Sequence, residues 1–276
     1  MTRRARRAGG EAAGADEIIL GRNAVLEVLR AGRRQVSRVH VAEGARETAV
    51  LAEILRLARS RAIPIEAGSP SEWESGGEKS HGVAARASPY PYVTLEDILR
   101  EAAERGQPPL VLLLDELQDP QNVGTLLRTA EAAGVHGVVL PYRRAAGITP
   151  AVVRASSGAC EHLLIAAENL AQAIERMQQE NVRVVGLEPG ESAEPLDEGS
   201  LAGPVGLVVG SEGEGMRHLV RQRCDVLARL PLGGRIGSLN AAVAGSIALY
   251  LAWSQRRREA EESELGAPRI DAPWKS

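Results

Sequence analysis

From Pro109 onward the chain alternates uninterrupted apolar runs with amphipathic stretches, and few architectures accept that pattern. LVLLLDEL, residues 110–117, lacks the every-other-residue polar break of a sheet that faces water on one side. Such a run belongs to a central parallel strand covered on both faces. GVHGVVLP, HLLIAA, VRVVGLE, GPVGLVVG and DVLARLPL supply five further strand candidates. Helical segments lie between several of them, including ENLAQAIERMQQEN and GMRHLVRQRC. Strand and helix in alternation predict an α/β fold built on a parallel sheet.

A second, smaller unit precedes this one. LGRNAVLEVLRAG reads as a helix capped at Asn23 and ended near Gly32, and SRVHVAE reads as a strand. RETAVLAEILRLARSRA carries a helical apolar stripe at Val50, Leu51, Ile54, Leu55 and Ala58. IPIEAG and HGVAARA are short strands. The expected organisation is a basic, disordered arm over residues 1–15 and a small α/β domain over 16–87. A linker and helix follow over 88–107, starting at the proline-containing SPYPYVT, then the large domain over 108–260 and an unstructured tail over 261–276.

Composition narrows the function. Aromatic residues are 3% of the 276 positions and Phe is absent, so the core is built from Leu, Val, Ile and Ala. A protein that binds single-stranded nucleic acid mainly by stacking needs many rings, and few are available. The net charge of −3 gives no global positive field, but arginines cluster in TRRARRAGG, at Arg33–Arg34, Arg143–Arg144, Arg221 with Arg223, and Arg256–Arg258. Local patches of this kind suit a polyanion, and equally suit a solvated surface. The two cysteines, Cys160 and Cys224, have no metal-site spacing, so no metal is expected and a cytoplasmic location with reduced thiols is. The longest apolar run, AAVAGSIALYLAW, falls short of the ~20 residues of a membrane span.

In an open parallel sheet, ligands bind beyond the carboxyl ends of the strands. Three such ends are unusual here. DPQNVGTLLR, after the first strand, reads as a polar turn containing Pro120, Asn122 and Gly124, with Arg128 expected within the first two helical turns. Turn chemistry and a surface arginine beside Glu131 explain it equally well. VVGSEGEGM places Gly210, Glu212, Gly213 and Gly215 between a strand and a helix. It lacks the G-x-G-x-x-G spacing of a dinucleotide fold, which removes a dehydrogenase from consideration, and it lacks the lysine of a phosphate loop. LPLGGRIGSLNAAVAGS crosses from Leu230 to a helix opened by Ser238 as N-cap, with Asn240 in the first turn. That helix is apolar on nearly all faces to Trp253 and is expected to be packed inside the protein.

Together, Asn122-x-Gly124-x-x-x-Arg128, Gly210-x-Glu212-x-x-Gly215 and Ser238-Leu239-Asn240 resemble the motifs of the SpoU/TrmH family of RNA 2′-O-methyltransferases. The resemblance runs from Leu110 to Trp253. LGRNAVLEVLRAG and HGVAARASPYPY are similar to the start and end of that family's RNA substrate-binding domain. The subgroup that methylates guanosine in bacterial 23S rRNA is the nearest, although Ser80-His81-Gly82 lacks the glutamine that many members carry.

The resemblance implies a C-terminal trefoil knot, a homodimer formed through the knotted domain, and S-adenosylmethionine as cofactor. By position it implies cofactor contacts at Leu187, Gly210, Leu230, Ser238 and Leu239. It also implies Arg128 at the ribose 2′-hydroxyl, as base or as charge stabiliser, with Asn122, Glu212, Ser238 and Asn240 orienting the site. A relative acting on tRNA or on an rRNA adenosine shares the same sequence features, whereas the intact Asn122, Arg128, Glu212 and Asn240 argue against a non-catalytic RNA-binding assembly factor that kept the fold.

Overall fold

The computed structural model describes residues 16–74, 79–190, 192–235 and 237–264. The arginine-rich arm read over residues 1–15 lies outside them. The chain divides into two compact units, Met1–Pro91 and Tyr92–Ser276.

The first unit holds β1 (Glu17–Leu20), α1 (Arg22–Ala31), β2 (Val36–Ala42), α2 (Ala49–Ser60), β3 (Ile65–Gly68) and β4 (Val83–Ala87). Its sheet has the order β1-β4-β2-β3, with β1–β4 and β4–β2 antiparallel and β2–β3 parallel. β1 escapes the sequence reading because EIIL is short and its partner lies more than sixty residues away in β4. Asn23 does not cap α1. The position before the helix is Gly21, whose φ of 102° favours glycine, and Gly32 closes the helix in the left-handed region. α2 is capped by Thr48, which accepts from the Leu51 N–H at 3.2 Å.

The second unit contains α3 (Leu95–Glu104), β5 (Leu110–Asp115), α4 (Pro120–Ala132), β6 (Gly137–Leu140), α5 (Pro150–Ala155), β7 (Ile165–Ala167), α6 (Leu170–Gln179), β8 (Arg183–Leu187), β9 (Glu194–Pro195), β10 (Val205–Gly210), α7 (His218–Arg223), β11 (Val226–Arg229) and α8 (Ala241–Glu264). The sheet order is β7-β6-β5-β10-β8-β11-β9 and every pair is parallel. All residues of β5, β6 and β10 are buried, which is why their apolar runs are unbroken.

Alternation along the strands sorts the two faces. Val111, Leu113 and Val208 pack with Leu95 and Ile98 of α3, Ile174 and Met177 of α6, and Val220 of α7. Val209 points the other way, toward α8. A Cβ placed on Gly245 of α8 would sit 2.6 Å from Leu126 of α4 and 3.0 Å from Val209, so glycine lets α8 lie close against both.

Chain order and sheet order disagree at one place. β8 leads outward to β9 and back to β10, yet β11, which follows β10, lies between β8 and β9. Leu196 donates its N–H to the Arg229 carbonyl at 2.7 Å, and Arg229 Nε donates to the Ala193 carbonyl at 3.1 Å. After β11 the chain returns across the sheet as α8. Arg256, near the far end of α8, donates to the Pro108, Pro109 and Gly203 carbonyls at the amino edge of β5 and β10.

Two expectations change in this unit. α8 runs to Glu264, so residues 261–264 continue a helix. It is not packed on all sides, because Val243, Ile247 and Tyr250 are exposed along one face. Among the described residues, no helix is long and apolar enough to cross a membrane.

Candidate active site

β5, β10, β8 and β11 end side by side, and their carboxyl ends carry the residues singled out from sequence. Leu187 closes β8, paired in register with Val209 of β10 on one side and Ala228 of β11 on the other. Gly210 closes β10, and Leu230 follows the last residue of β11. Three of the five residues expected to meet a cofactor therefore lie at the carboxyl ends of adjacent strands, where ligands collect in sheets of this type.

The connection after β5 is not a polar turn. Asp119 accepts from the Gln121 N–H at 3.1 Å as N-cap, Pro120 takes the first helical position, and Asn122 and Gly124 lie inside α4. A mid-helix glycine costs about 1 kcal/mol relative to alanine. Here the cost has a packing reason: an added Cβ would lie 2.4 Å from Ala155 Cβ and 2.8 Å from the Ser156 nitrogen, so only glycine lets α5 approach α4. Arg128 consequently falls in the third turn, not the first two. It is exposed, and its Nη1 donates to Ser157 Oγ at 3.3 Å.

The connection after β10 folds on itself. Ser211 and Gly215 exchange backbone hydrogen bonds at 3.0 and 3.1 Å, with Gly213 and Gly215 at φ of 89° and 70°. Gly210 packs so tightly on this loop that a Cβ would lie 2.4 Å from the Gly215 carbonyl carbon. Asp115, fully buried at the end of β5, accepts from the Arg217 N–H and from Arg217 Nε, both at 2.7 Å. The sequence reading missed this pair. A carboxylate ending an otherwise apolar strand was the available signal, since a buried charge requires such partners.

The connection after β11 is open. Among the described residues of 232–239 there is no backbone–backbone hydrogen bond, and a Cβ on Gly233, Gly234 or Gly237 would meet nothing within 4 Å. Ser238 is not the cap of α8. Asn240 is: its Oδ1 accepts from the Val243 N–H at 3.1 Å, and its carbonyl accepts from Ala244. Ser238 and Leu239 are exposed in the approach to the helix.

Three side chains from three separate segments meet. Asn122 Nδ2 donates to Glu212 Oε1 at 3.0 Å, and Asn240 Nδ2 donates to Asn122 Oδ1 at 3.2 Å and to the same Glu212 oxygen. One amide thus ties the first turn of α4 to both glycine-rich connections. Arg128 stands apart from this cluster, two turns further along α4, about 9 Å by helical rise. Among the described residues no hydrogen bond joins Ser238 to the cluster.

Sequence models place these motifs. A model of the SpoU rRNA methylase family matches residues 109–250, and one for RNA 2′-O ribose methyltransferase substrate binding matches residues 18–93. The chain belongs to the SpoU rRNA methylase family. It is 38% identical over 244 residues to the 23S rRNA (guanosine-2′-O-)-methyltransferase RlmB of Pseudomonas putida, an alignment covering 87% of this chain and 97% of that one. It is 37% identical to YacO of Bacillus subtilis, described as a TrmH family tRNA/rRNA methyltransferase, over 87% and 96% of the two chains. The fold matches the SpoU methyltransferase AviRb of Streptomyces viridochromogenes, solved in complex with AdoMet, with a TM-score of 0.71 over 88% of this chain and 92% of that one at 23% identity.

The surroundings of the cluster are plain. Among the described residues no group of three or more His, Cys, Asp or Glu is placed to hold a metal ion. Burial pushes the Cys224 thiol up to about 12, and Cys224 Sγ donates to the Val220 carbonyl, so it is a packed thiol rather than a nucleophile.

Proposed function

We propose that the protein methylates the ribose 2′-hydroxyl of a guanosine in 23S rRNA, with S-adenosylmethionine as methyl donor. The observation that carries this reading is the Asn122–Glu212–Asn240 cluster, which joins the family's three motifs at the carboxyl edge of β5 and β10. Membership of the family supports an RNA methyltransferase, and the likeness to RlmB supports guanosine in 23S rRNA.

The residues present fit the cofactor. The described residues of the 232–239 connection are exposed and make no backbone–backbone hydrogen bond, Leu187 and Leu230 offer apolar walls, and Glu188, which follows β8, is neutralised by Arg221. Leu187, Gly210, Leu230, Ser238 and Leu239 would hold it, chiefly through backbone groups. When bound it supplies an electrophilic methyl group on a sulfonium.

The chain's own contribution is alignment and charge. Glu212, held by two amides, fixes the β10–α7 connection against α4. Asn240 fixes the entry to α8. Arg128 is exposed, and among the described residues no carboxylate pairs with it, so its donors are available to an RNA phosphate and to the oxygen that loses its proton. A guanidinium with a pKa above ~12 is a poor base. Arg128 therefore stabilises the developing negative oxygen, and the proton passes to solvent.

Two structural readings accompany the function. Passage of β11 between β8 and β9, inside the loop that joins β8 to β10, supports a trefoil knot. The exposed Val243, Ile247 and Tyr250 of α8, at helical spacing beside Thr125 and Thr129 of α4, support a homodimer through this unit. A cytoplasmic location goes with this reading.

The test offers the purified protein labelled S-adenosylmethionine with ribosomal RNA and tRNA, then maps the alkali-resistant linkage. Label on a 23S guanosine is the expected result. Label on tRNA alone would overturn the rRNA assignment in favour of the substrate that YacO's description also names. Cofactor binding with no label on any RNA would point to an assembly factor.

A further inference from the structure

The connection between β6 and α5 takes no part in the cluster above, yet it carries the most exposed large hydrophobic side chain among the described residues. Tyr142 is 74% exposed, two positions beyond the carboxyl end of β6. The chain holds only four tyrosines, three tryptophans and no phenylalanine, so a ring left in water is a notable use of a scarce residue type. Tyr142 makes no hydrogen bond or ring contact with any described residue. Arg143 and Arg144 follow it, both exposed.

The backbone beneath is held in place. Ala146 donates its N–H to the Leu117 carbonyl at 2.9 Å, tying the loop to the segment between β5 and α4. Ile148 donates to Tyr92 Oη at 2.8 Å. Arg144 has φ of 61°, and its Nη1 lies 3.6 Å from Glu116 Oε1, while its side chain stays largely exposed. Further along, the same connection passes through α5 to Ser157, the partner of Arg128. Tyr142, Arg143 and Arg144 thus stand on the segment that also positions the proposed ribose-binding arginine, at the same edge of the sheet. Below Tyr142 the surface carries Glu96 and Glu168, which share Arg176, and Glu175, which pairs with Arg223, so the positive charge beside the ring is that of Arg143 and Arg144 on the loop itself.

We propose that Tyr142 is a stacking platform for an unpaired RNA base neighbouring the modified nucleotide, with Arg143 and Arg144 on the adjoining phosphates. The chemistry is complementary: an exposed ring face accepts any base, and two guanidiniums beside it accept the backbone that joins successive bases. A single platform also reconciles scarce aromatics with a single-stranded target, because one splayed base needs one ring. The inference rests on the RNA methyltransferase reading and adds to it a position that the family's three motifs do not include.

The test uses the full chain and single-stranded RNA oligonucleotides, each with 2-aminopurine at one position. Fluorescence quenching reports stacking, and anisotropy reports affinity. Wild type quenches at one position or a few. Tyr142→Leu loses that quenching and weakens affinity about 5- to 150-fold, whereas Tyr142→Phe retains both. Replacing Arg143 and Arg144 by alanine together reduces the slope of log affinity against log salt by about 1.4. Equal behaviour of the Leu and Phe variants, or quenching that survives Tyr142→Leu, would overturn the platform; an unchanged salt slope would overturn the phosphate contacts. Methyl transfer by wild type is scored separately. Transfer without a Tyr142 effect sinks this inference alone, and a Tyr142 effect without transfer sinks the catalytic reading alone. A protein that binds no RNA refutes both.

Discussion

Two glycine-rich connections reach the same amide of Asn122, and they use glycine for opposite reasons. In the connection after β10, Gly210 is buried against the backbone of Gly215 and Met216, and the loop is closed by a backbone exchange and by Asp115 with Arg217. In the connection after β11, Gly233, Gly234 and Gly237 face open space. The first set permits close packing that any side chain would disrupt. The second leaves backbone groups uncovered, as a ligand held by main-chain contacts requires. Glycine content is therefore an ambiguous signal, and what surrounds the missing Cβ decides its meaning.

The largest expected effect probes the helix that both connections grip. Arg128→Ala should lower methyl transfer about 10²- to 10³-fold while the melting temperature stays near wild type. Near-normal turnover would move the chemistry into the connections themselves. Gly210→Ala should cost about 3 kcal/mol of stability in denaturant unfolding, because a methyl group must displace backbone rather than a flexible side chain. A loss below about 0.5 kcal/mol would mean that the closed connection yields as easily as the open one.

A region remote from both connections provides the pH control. His136, at the amino edge of the sheet, accepts from the Leu110 N–H at 3.0 Å and lies beside Gln107. Burial, aided by Arg105 and Arg256, lowers its pKa to about 4 from an ordinary 6.5. The folded protein keeps this ring neutral while the unfolded chain binds a proton below 6.5. Stability is therefore lost as pH falls from 6.5 toward 4. Melting temperature against pH should show that decline, and His136→Asn, which retains an acceptor, should flatten it.

The smaller effects separate the two connections again. Asn240→Ala removes the α8 cap and one arm of the cluster, and should cost about 1 kcal/mol by unfolding together with a fall in transfer. Gly234→Ala should change stability by less than about 0.5 kcal/mol but weaken cofactor affinity in calorimetry. A stability loss as large as that of Gly210→Ala would erase the distinction.

β5, β6 and β10 were legible because burial on both faces leaves a continuous apolar signature that needs no partner information. β1 and β9 were not, being short and defined by distant partners. The cap of α8 was misplaced by two residues. Ser238 and Asn240 are both competent caps, and only the path of the preceding loop selects between them. DPQNVGTLLR was misread as a turn for a related reason. Pro120 and Gly124 are turn formers in isolation, but proline is also favoured at the first helical position, and Gly124 is there for Ala155.

By itself the sequence determined the parallel α/β sheet and the helical segments, because these follow from local periodicity and strand burial. It also supplied the three motifs, each as a set of residue types without an arrangement. Tertiary structure alone decided that Asn122, Glu212 and Asn240 touch, that Asp115 receives Arg217, and that β11 lies between β8 and β9. Those contacts join residues separated by tens of positions or more. Their geometry is set by how the strands order themselves in the sheet, a choice made by the packing of the whole unit and by no single segment of it.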